Sequence, residues 1–211
     1  EMCIRDRVTI GGNNVYENVE IDYRMSSLKA KDILAILNGE KSETLPTVIE
    51  STENDNLFVF WSGHGVPGAM CWDEEPYAMT GDDLSTVFKD MNLKRRYRKL
   101  LMMVEACFSG GVMEQCEGIP GMLFITAANG DETSKADVFN GEMKVWMSNR
   151  FTSTFIEQIT DNKDVAMRDL YYRLFINTVG SHVMVYNAEN YGNLYSVNMS
   201  EFINFKNDKS K

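Results

Sequence analysis

Leu57-Phe58-Val59-Phe60-Trp61 runs straight into Ser62-Gly63-His64-Gly65, and Leu100-Leu101-Met102-Met103-Val104 runs straight into Glu105-Ala106-Cys107-Phe108-Ser109-Gly110-Gly111. Neither apolar run alternates with polar residues. A short continuous apolar run closed by a turn suits a strand buried on both faces, as in a parallel sheet covered by helices. A third run, Met122 to Ala128, ends the same way in Asn129-Gly130. Segments of helical period lie around these runs. Ser26 or Ser27 can cap a helix carrying Leu28, Ile33, Leu34 and Leu37, with Gly39 as its stop. Ser42 to Asn56 reads as a loop. Thr80, followed by Asp82 and Asp83, opens a second helix with Leu84, Val87, Phe88 and Met91 on one face. Val145 to Ile159 and Asp164 to Val179, closed by Gly180, read as two more helices, and His182 to Tyr186 as a last strand. Strands alternating with helices predict an α/β domain with a largely parallel sheet flanked by helices.

In such a sheet ligands bind where the loops converge outside the carboxyl ends of the strands. His64 follows the first run, Cys107 the second, and Asn129 to Ser134 the third, so these segments are expected to be neighbours. A thiolate is a strong nucleophile when an imidazole takes its proton, and the same imidazole can then protonate a leaving amine. Gly63, Gly65, Gly110 and Gly111 permit tight turns and close approach of a substrate. The N–H groups of Gly65 and Cys107 are the candidate donors to a developing oxyanion. A cysteine ending an apolar strand is by itself more often a buried hydrophobe than a nucleophile. What favours catalysis is that one of only two histidines occupies the matching turn of another such strand.

Composition narrows the partners. The chain has 211 residues, 44% hydrophobic and 25% charged, with 4 prolines, which fits one folded domain rather than a disordered chain. Its net charge of −10 repels phosphate backbones and anionic lipid, so nucleic acid is excluded as a general partner. No apolar run reaches the length of a membrane span. Cys3, Cys71, Cys107 and Cys116 form no C-x-x-C pair. A zinc site drawn from Cys71, Cys116, His64 and Cys107 would lack the close ligand pairs such sites use. The run Lys94-Arg95-Arg96-Tyr97-Arg98-Lys99 reads as a solvated lead-in to the strand after it rather than as an anion site. The 14 methionines suit core filling, and Asn198-Met199-Ser200 matches a glycosylation acceptor, a motif too common to weigh. His182, in an alternating pattern, reads as structural.

These motifs resemble the legumain-type cysteine peptidases, which share a fold group with the caspases. The order agrees with the caspase pattern, in which a histidine lies about 50 residues upstream of an Ala-Cys motif. The likeness is carried by Asn14-Val15-Tyr16-Glu17-Asn18-Val19 with Asp22-Tyr23, Ala35-Ile36-Leu37-Asn38-Gly39, and Asn54-Asp55. It continues through Ser62-Gly63-His64-Gly65-Val66-Pro67-Gly68, Glu105-Ala106-Cys107-Phe108-Ser109-Gly110, Thr126-Ala127-Ala128-Asn129 and Ser181-His182-Val183-Met184-Val185-Tyr186. Ser62-Gly63-His64-Gly65 and Asn149-Arg150-Phe151-Thr152 also look like the catalytic subunit of the GPI-anchor transamidase, a relative of the same family.

The resemblance implies a caspase-like three-layer fold over 8–205, with Cys107 as nucleophile and His64 as general acid and base. It implies cleavage after Asn, or Asp, of peptide or protein substrates, with no metal or organic cofactor. Glu105, Thr133, Ser134 and Asn149 are matched to the pocket for the residue before the cut. Glu105 could equally be a strand-end carboxylate satisfied by backbone N–H groups, and Thr133 and Ser134 an ordinary loop. The family carries an acidic residue where Asn149 falls, and an Asp, tied to ligase activity, where Gly63 stands. Its pocket arginine and its histidine-orienting asparagine lie on an early strand with no counterpart here. The chain is therefore expected to lack its first strand or strands, with Glu1 to Arg7 a non-native remnant and 206–211 a polar tail. A transamidase using the same acyl-enzyme, or a binding module of the same fold that does not cut, are the alternative readings.

Overall fold

The computed structural model describes residues 9–10, 13–14, 19–72, 75–142 and 144–203. Glu1 to Arg7, Cys3, Val15 to Asn18 of the first family-like segment and the tail 206–211 lie outside the described residues. Strands β1 (Thr9–Ile10) and β2 (Asn13–Asn14) form a small antiparallel pair. Helix α1 (Ala30–Asn38) starts later than Ser26 or Ser27 would have it. Met25–Ser27 is a 3₁₀ turn, and the Asp32 carboxylate accepts the Lys29 N–H at 2.8 Å in place of a serine cap. Gly39 ends α1 at φ 70°, where a side chain would collide with the Arg96 guanidinium.

β3 (Asn56–Ser62) leads into a three-stranded antiparallel sheet of β4 (Gly65–Val66), β5 (Ala69–Trp72) and β6 (Glu75–Thr80), which the sequence reading did not anticipate. Helix α2 (Gly81–Leu93) begins where expected: Thr80 Oγ1 accepts the Asp83 N–H at 3.2 Å and Asp83 accepts the Thr80 N–H at 3.0 Å. β7 (Lys99–Glu105), the short helix α3 (Ser109–Met113) and β8 (Met122–Thr126) follow.

A hairpin of β9 (Ala136–Asn140) and β10 (Val145–Asn149) precedes helix α4 (Arg150–Asp161). The expected helix over Val145 to Ile159 is thus corrected in its first five residues. Trp146 pairs with Phe139 across the ladder, their ring centroids 5.2 Å apart, so aromatic cross-strand contact overrides the helical period. Helix α5 (Met167–Asn177), β11 (Met184–Tyr186) and helix α6 (Ala188–Tyr191) complete the order, α5 being shorter at both ends and β11 at its start than expected.

Among the described residues the central sheet has the order β11-β8-β7-β3, with β3, β7 and β8 parallel and β11 antiparallel to β8. This confirms the α/β architecture with a mainly parallel sheet. Alternate residues of β7 and β8 enter two different cores. Leu100, Met102, Val104, Met122 and Phe124 meet Leu84, Phe88 and Met91 of α2, with Phe88 stacked on Phe124 at 5.6 Å. Leu101, Met103, Leu123 and Ile125 meet Phe151 and Phe155 of α4 and Leu170 and Leu174 of α5. Both faces are covered, which is why these runs show no alternation. Among the described residues β3 lies at the edge of this sheet, and Leu57 to Trp61 pack alternately against the two cores but are only half-buried, a correction to the reading of the run as fully buried.

The basic run is spent on structure. Lys94 pairs with Asp90 at 2.5 Å, Arg95 with Glu53 at 3.4 Å, and Arg98 with Glu201 at 3.5 Å. Arg96 donates to the Ile49 carbonyl, and Lys99 donates to the Tyr191 carbonyl at 3.0 Å while lying over the Tyr191 ring. No helix among the described residues is long and apolar enough to cross a membrane.

Candidate active site

β3 and β7 run parallel in one register, Ser62 beside Glu105 at their carboxyl ends. Two residues beyond each partner stand His64 and Cys107. The Gly63 N–H donates to the Glu105 carbonyl at 3.0 Å, so the turns stay together past the strands. Gly65 passes so close to Cys107 that an added Cβ would lie 2.0 Å from the Cys107 carbonyl oxygen, which is a physical reason for glycine there. His64 is exposed and Cys107 half-buried. The Cys71 N–H donates to the His64 carbonyl at 2.9 Å, making Gly65 and Met70 a non-hydrogen-bonded pair of the β4–β5 ladder. That leaves the Gly65 N–H outside the ladder, and the Cys107 N–H makes no hydrogen bond to the described residues.

After Cys107 the chain turns sharply through Phe108 at φ 55°, held by a 2.8 Å bond from its N–H to the Glu132 carbonyl. Gly110 N–H then donates to the Ala128 carbonyl at 3.1 Å, and a Cβ on Gly110 would meet the Tyr186 hydroxyl at 2.4 Å. The glycines of this motif let the Cys107 turn nest against the loop that follows β8. That loop brings Ser134, whose Oγ lies 3.9 Å from Cys107 Sγ.

Glu105 ends β7 fully buried. Its Oε2 accepts both the N–H and the hydroxyl of Thr152, each at 3.1 Å. Thr152 is the third residue of α4, so the carboxylate from β7 caps that helix and meets the positive end of its dipole. This is the reading of Glu105 as a satisfied strand-end carboxylate, but it accounts for only one oxygen. Oε1 is buried and makes no hydrogen bond by geometry. Burial pushes the Glu105 carboxyl above the usual carboxylate range, while the Thr152 N–H, the nearby Ser134 hydroxyl and the Thr152 hydroxyl pull the other way.

The other matched residues divide. Ser134 joins the cluster of Glu105 and Cys107. Thr133 is exposed and accepts the Lys135 ammonium at 2.9 Å. Asn149 is half-buried at the end of β10, opposite Ala136, as the residue before α4. Thr152 was missed as a partner of Glu105. Its signal was in the sequence, since an Asn at the cap position puts Thr152 on the third amide of the helix. His182 stands before β11 rather than in it, with Nδ1 2.9 Å from Glu132 Oε2.

Cys71, Cys107 and Cys116 are free thiols, and burial pushes Cys116 up to about 12. Among the described residues no group of three His, Cys, Asp or Glu could hold a metal ion.

Comparison with known proteins matches residues 4–202 to the peptidase C13 family. The chain belongs to the peptidase C13 family. Among C13 relatives, it is 28% identical to legumain of Rattus norvegicus over 182 residues, which are 83% of this chain and 41% of that protein. It is 31% identical to the hemoglobinase of Schistosoma mansoni over 202 residues, 89% of this chain and 43% of that protein. It is 25% identical to the GPI-anchor transamidase of Saccharomyces cerevisiae over 174 residues, 80% and 42%. The chain thus spans about two-fifths of the length of these C13 relatives. Membership agrees with the mainly parallel sheet flanked by helices.

Proposed function

We propose that this protein is a cysteine endopeptidase cutting after Asn, with Cys107 as nucleophile and His64 as general acid and base. The observation that carries the reading is the shared register of β3 and β7, which sets the His64 and Cys107 turns side by side. The Cys107 thiol passes its proton to the His64 imidazole and the sulfur attacks the carbonyl carbon before the scissile bond. The oxyanion so formed takes hydrogen bonds from the Cys107 and Gly65 N–H groups. His64 then gives its proton to the leaving amine, and a thioester remains. Water, losing a proton to His64, attacks the thioester, and the proton returns to the departing sulfur as the acid is released.

Glu105 Oε1 is an acceptor for the amide N–H₂ of an Asn side chain, and the Ser134 hydroxyl is both donor and acceptor beside it. Asn149, which borders α4, is proposed for the outer wall, and Thr133 only for its rim. A transamidase reading, in which an amine in place of water takes the acyl group, is supported by the likeness to the yeast transamidase.

The test is cleavage of a fluorogenic Asn peptide by the protein expressed from its complete gene. Cys107→Ala is expected to abolish cutting, and His64→Ala to lower kcat by about 100-fold or more. Analysis of products with an added amine separates released acid from joined peptide. Undiminished cutting by Cys107→Ala would overturn the assignment.

A further inference from the structure

We propose that Glu132 and His182 form a clasp that positions the Cys107 turn against the His64 turn, an inference that rests on the reading of Cys107 as nucleophile. Glu132 lies in the loop between β8 and β9, and each of its acceptor atoms is engaged. Oε1 accepts the His182 N–H at 2.6 Å and the Asn129 N–H at 3.2 Å. Oε2 stands 2.9 Å from His182 Nδ1. The Glu132 backbone carbonyl accepts the Phe108 N–H at 2.8 Å. One residue thereby ties the lead-in of β11 to the residue after the nucleophile.

The tie acts on a particular peptide. The Cys107 carbonyl and the Phe108 N–H belong to one planar unit, so fixing one fixes the other. Glu132 grips this unit by its N–H, and its carbonyl faces Gly65, the residue after His64. A rotation of that peptide would move the Cys107 backbone and its distance from the His64 turn together. Phe108 also sits at φ 55°, a conformation that a bulky residue keeps only when its surroundings hold it. Two residues past Glu132, the same loop delivers Ser134 to Cys107 Sγ.

The clasp's acceptor is a carboxylate. It is the less exposed partner, at 24% against 69% for the imidazole. Around Glu132 stand Asp131 and, past Thr133, Lys135 on its own loop, His182 from the segment before β11, and the Phe108 backbone from the nucleophile's turn. A surface contact of this kind contributes little stability on its own, whether hydrogen bond or ion pair. The consequence is therefore expected in kcat more than in folding, which makes Glu132 and His182 positioning residues.

The experiment compares the protein from its complete gene with Glu132→Ala, His182→Ala, their double variant and Glu132→Gln, all well below their Tm. Three quantities are read: kcat and KM on an Asn peptide, the rate of Cys107 alkylation by iodoacetamide, and hydrogen exchange at the Phe108 amide. Glu132→Ala is expected to lower kcat about 10- to 100-fold with KM little changed, to change the alkylation rate, and to speed Phe108 exchange. His182→Ala moves all three the same way by less, and the double variant is no worse than Glu132→Ala. Glu132→Gln recovers much of the rate, because its carbonyl oxygen can still accept the His182 N–H. Unchanged kcat and unchanged Phe108 exchange in both alanine variants would overturn the clasp. If the unsubstituted protein cuts neither Asn nor Asp peptides, the peptidase reading fails, while alkylation and Phe108 exchange still decide the clasp.

Discussion

A buried carboxylate with one oxygen on a helix amide and the other without a hydrogen bond is costly to fold around. Glu105 is such a group by distance, its Oε1 having only the Ser134 hydroxyl nearby, and the cost favours a binding role over a cap alone. The two roles separate in Glu105→Gln, which keeps an acceptor for Thr152 and removes the charge. Because burial raises the Glu105 carboxyl in the folded protein, its favourable contribution is full below the unfolded value near 4.5 and is lost as pH rises through the raised folded value. A glutamine does not titrate. The Tm of Glu105→Gln relative to the unsubstituted protein is therefore expected to climb across that interval and then level off. Over the same interval cleavage after Asn by the variant is expected to fall relative to the unsubstituted protein, whose newly ionised carboxylate is a stronger acceptor for the substrate's N–H₂ than an uncharged amide. A Tm difference flat with pH would mean that the charge is not held against burial, and scanning calorimetry in a pH series reads it directly.

At the scale of elements, the fold is legible wherever local chemistry and tertiary context agree. Thr80 with Asp83 starts α2 as expected and Gly39 ends α1, because caps are decided by nearest neighbours in sequence. Thr80→Ala removes the acceptor for the Asp83 N–H and is expected to cost about 1 kcal/mol in denaturant unfolding. The β9–β10 hairpin and the β4–β6 sheet were not legible. Their strands are short, and Val145 to Asn149 becomes a strand through pairing with Ala136 to Asn140, which no local window reveals. The site divides along the same line. His64, Cys107 and Glu105 stand at strand ends that the apolar runs announce, whereas Thr152 and the Glu132–His182 contact depend on which loops meet.

Gly65 belongs to this scale because its requirement comes from the turn on the neighbouring strand. Gly65→Ala would drive a methyl into the Cys107 carbonyl, and one turn must yield. Since both turns lie on the surface end of an otherwise intact sheet, the expected result is a fall in kcat of about 100-fold with a modest loss of Tm. A loss of Tm large enough to account for the activity would instead place the strain in the sheet.

The whole molecule is polar in the mechanical sense. The carboxyl ends of β3, β7 and β8 carry the proposed chemistry, and the opposite ends of β3 and β7 are fastened by the basic run. Arg98 ties β7 to Asn56 at the start of β3 and to Glu201, and Lys99 ties it to α6. Arg96 ties the approach to β7 to the loop after α1 through the Ile49 carbonyl and the close pass over Gly39. In a chain of net charge −10 these cations would be expected to sit free among acids, yet they are used as clamps to carbonyls and to particular carboxylates. Arg96→Ala strips the Ile49 carbonyl of a charged donor and opens space at the turn, a loss of about 2 to 3 kcal/mol. The strand ends that carry His64 and Cys107 are a sheet's length away. Below its lowered Tm the variant is therefore expected to cut an Asn peptide with unchanged kcat and KM. If kcat fell along with stability, β3 and β7 would be shifting their register as a unit, and the site would depend on the clamps at both ends of the sheet.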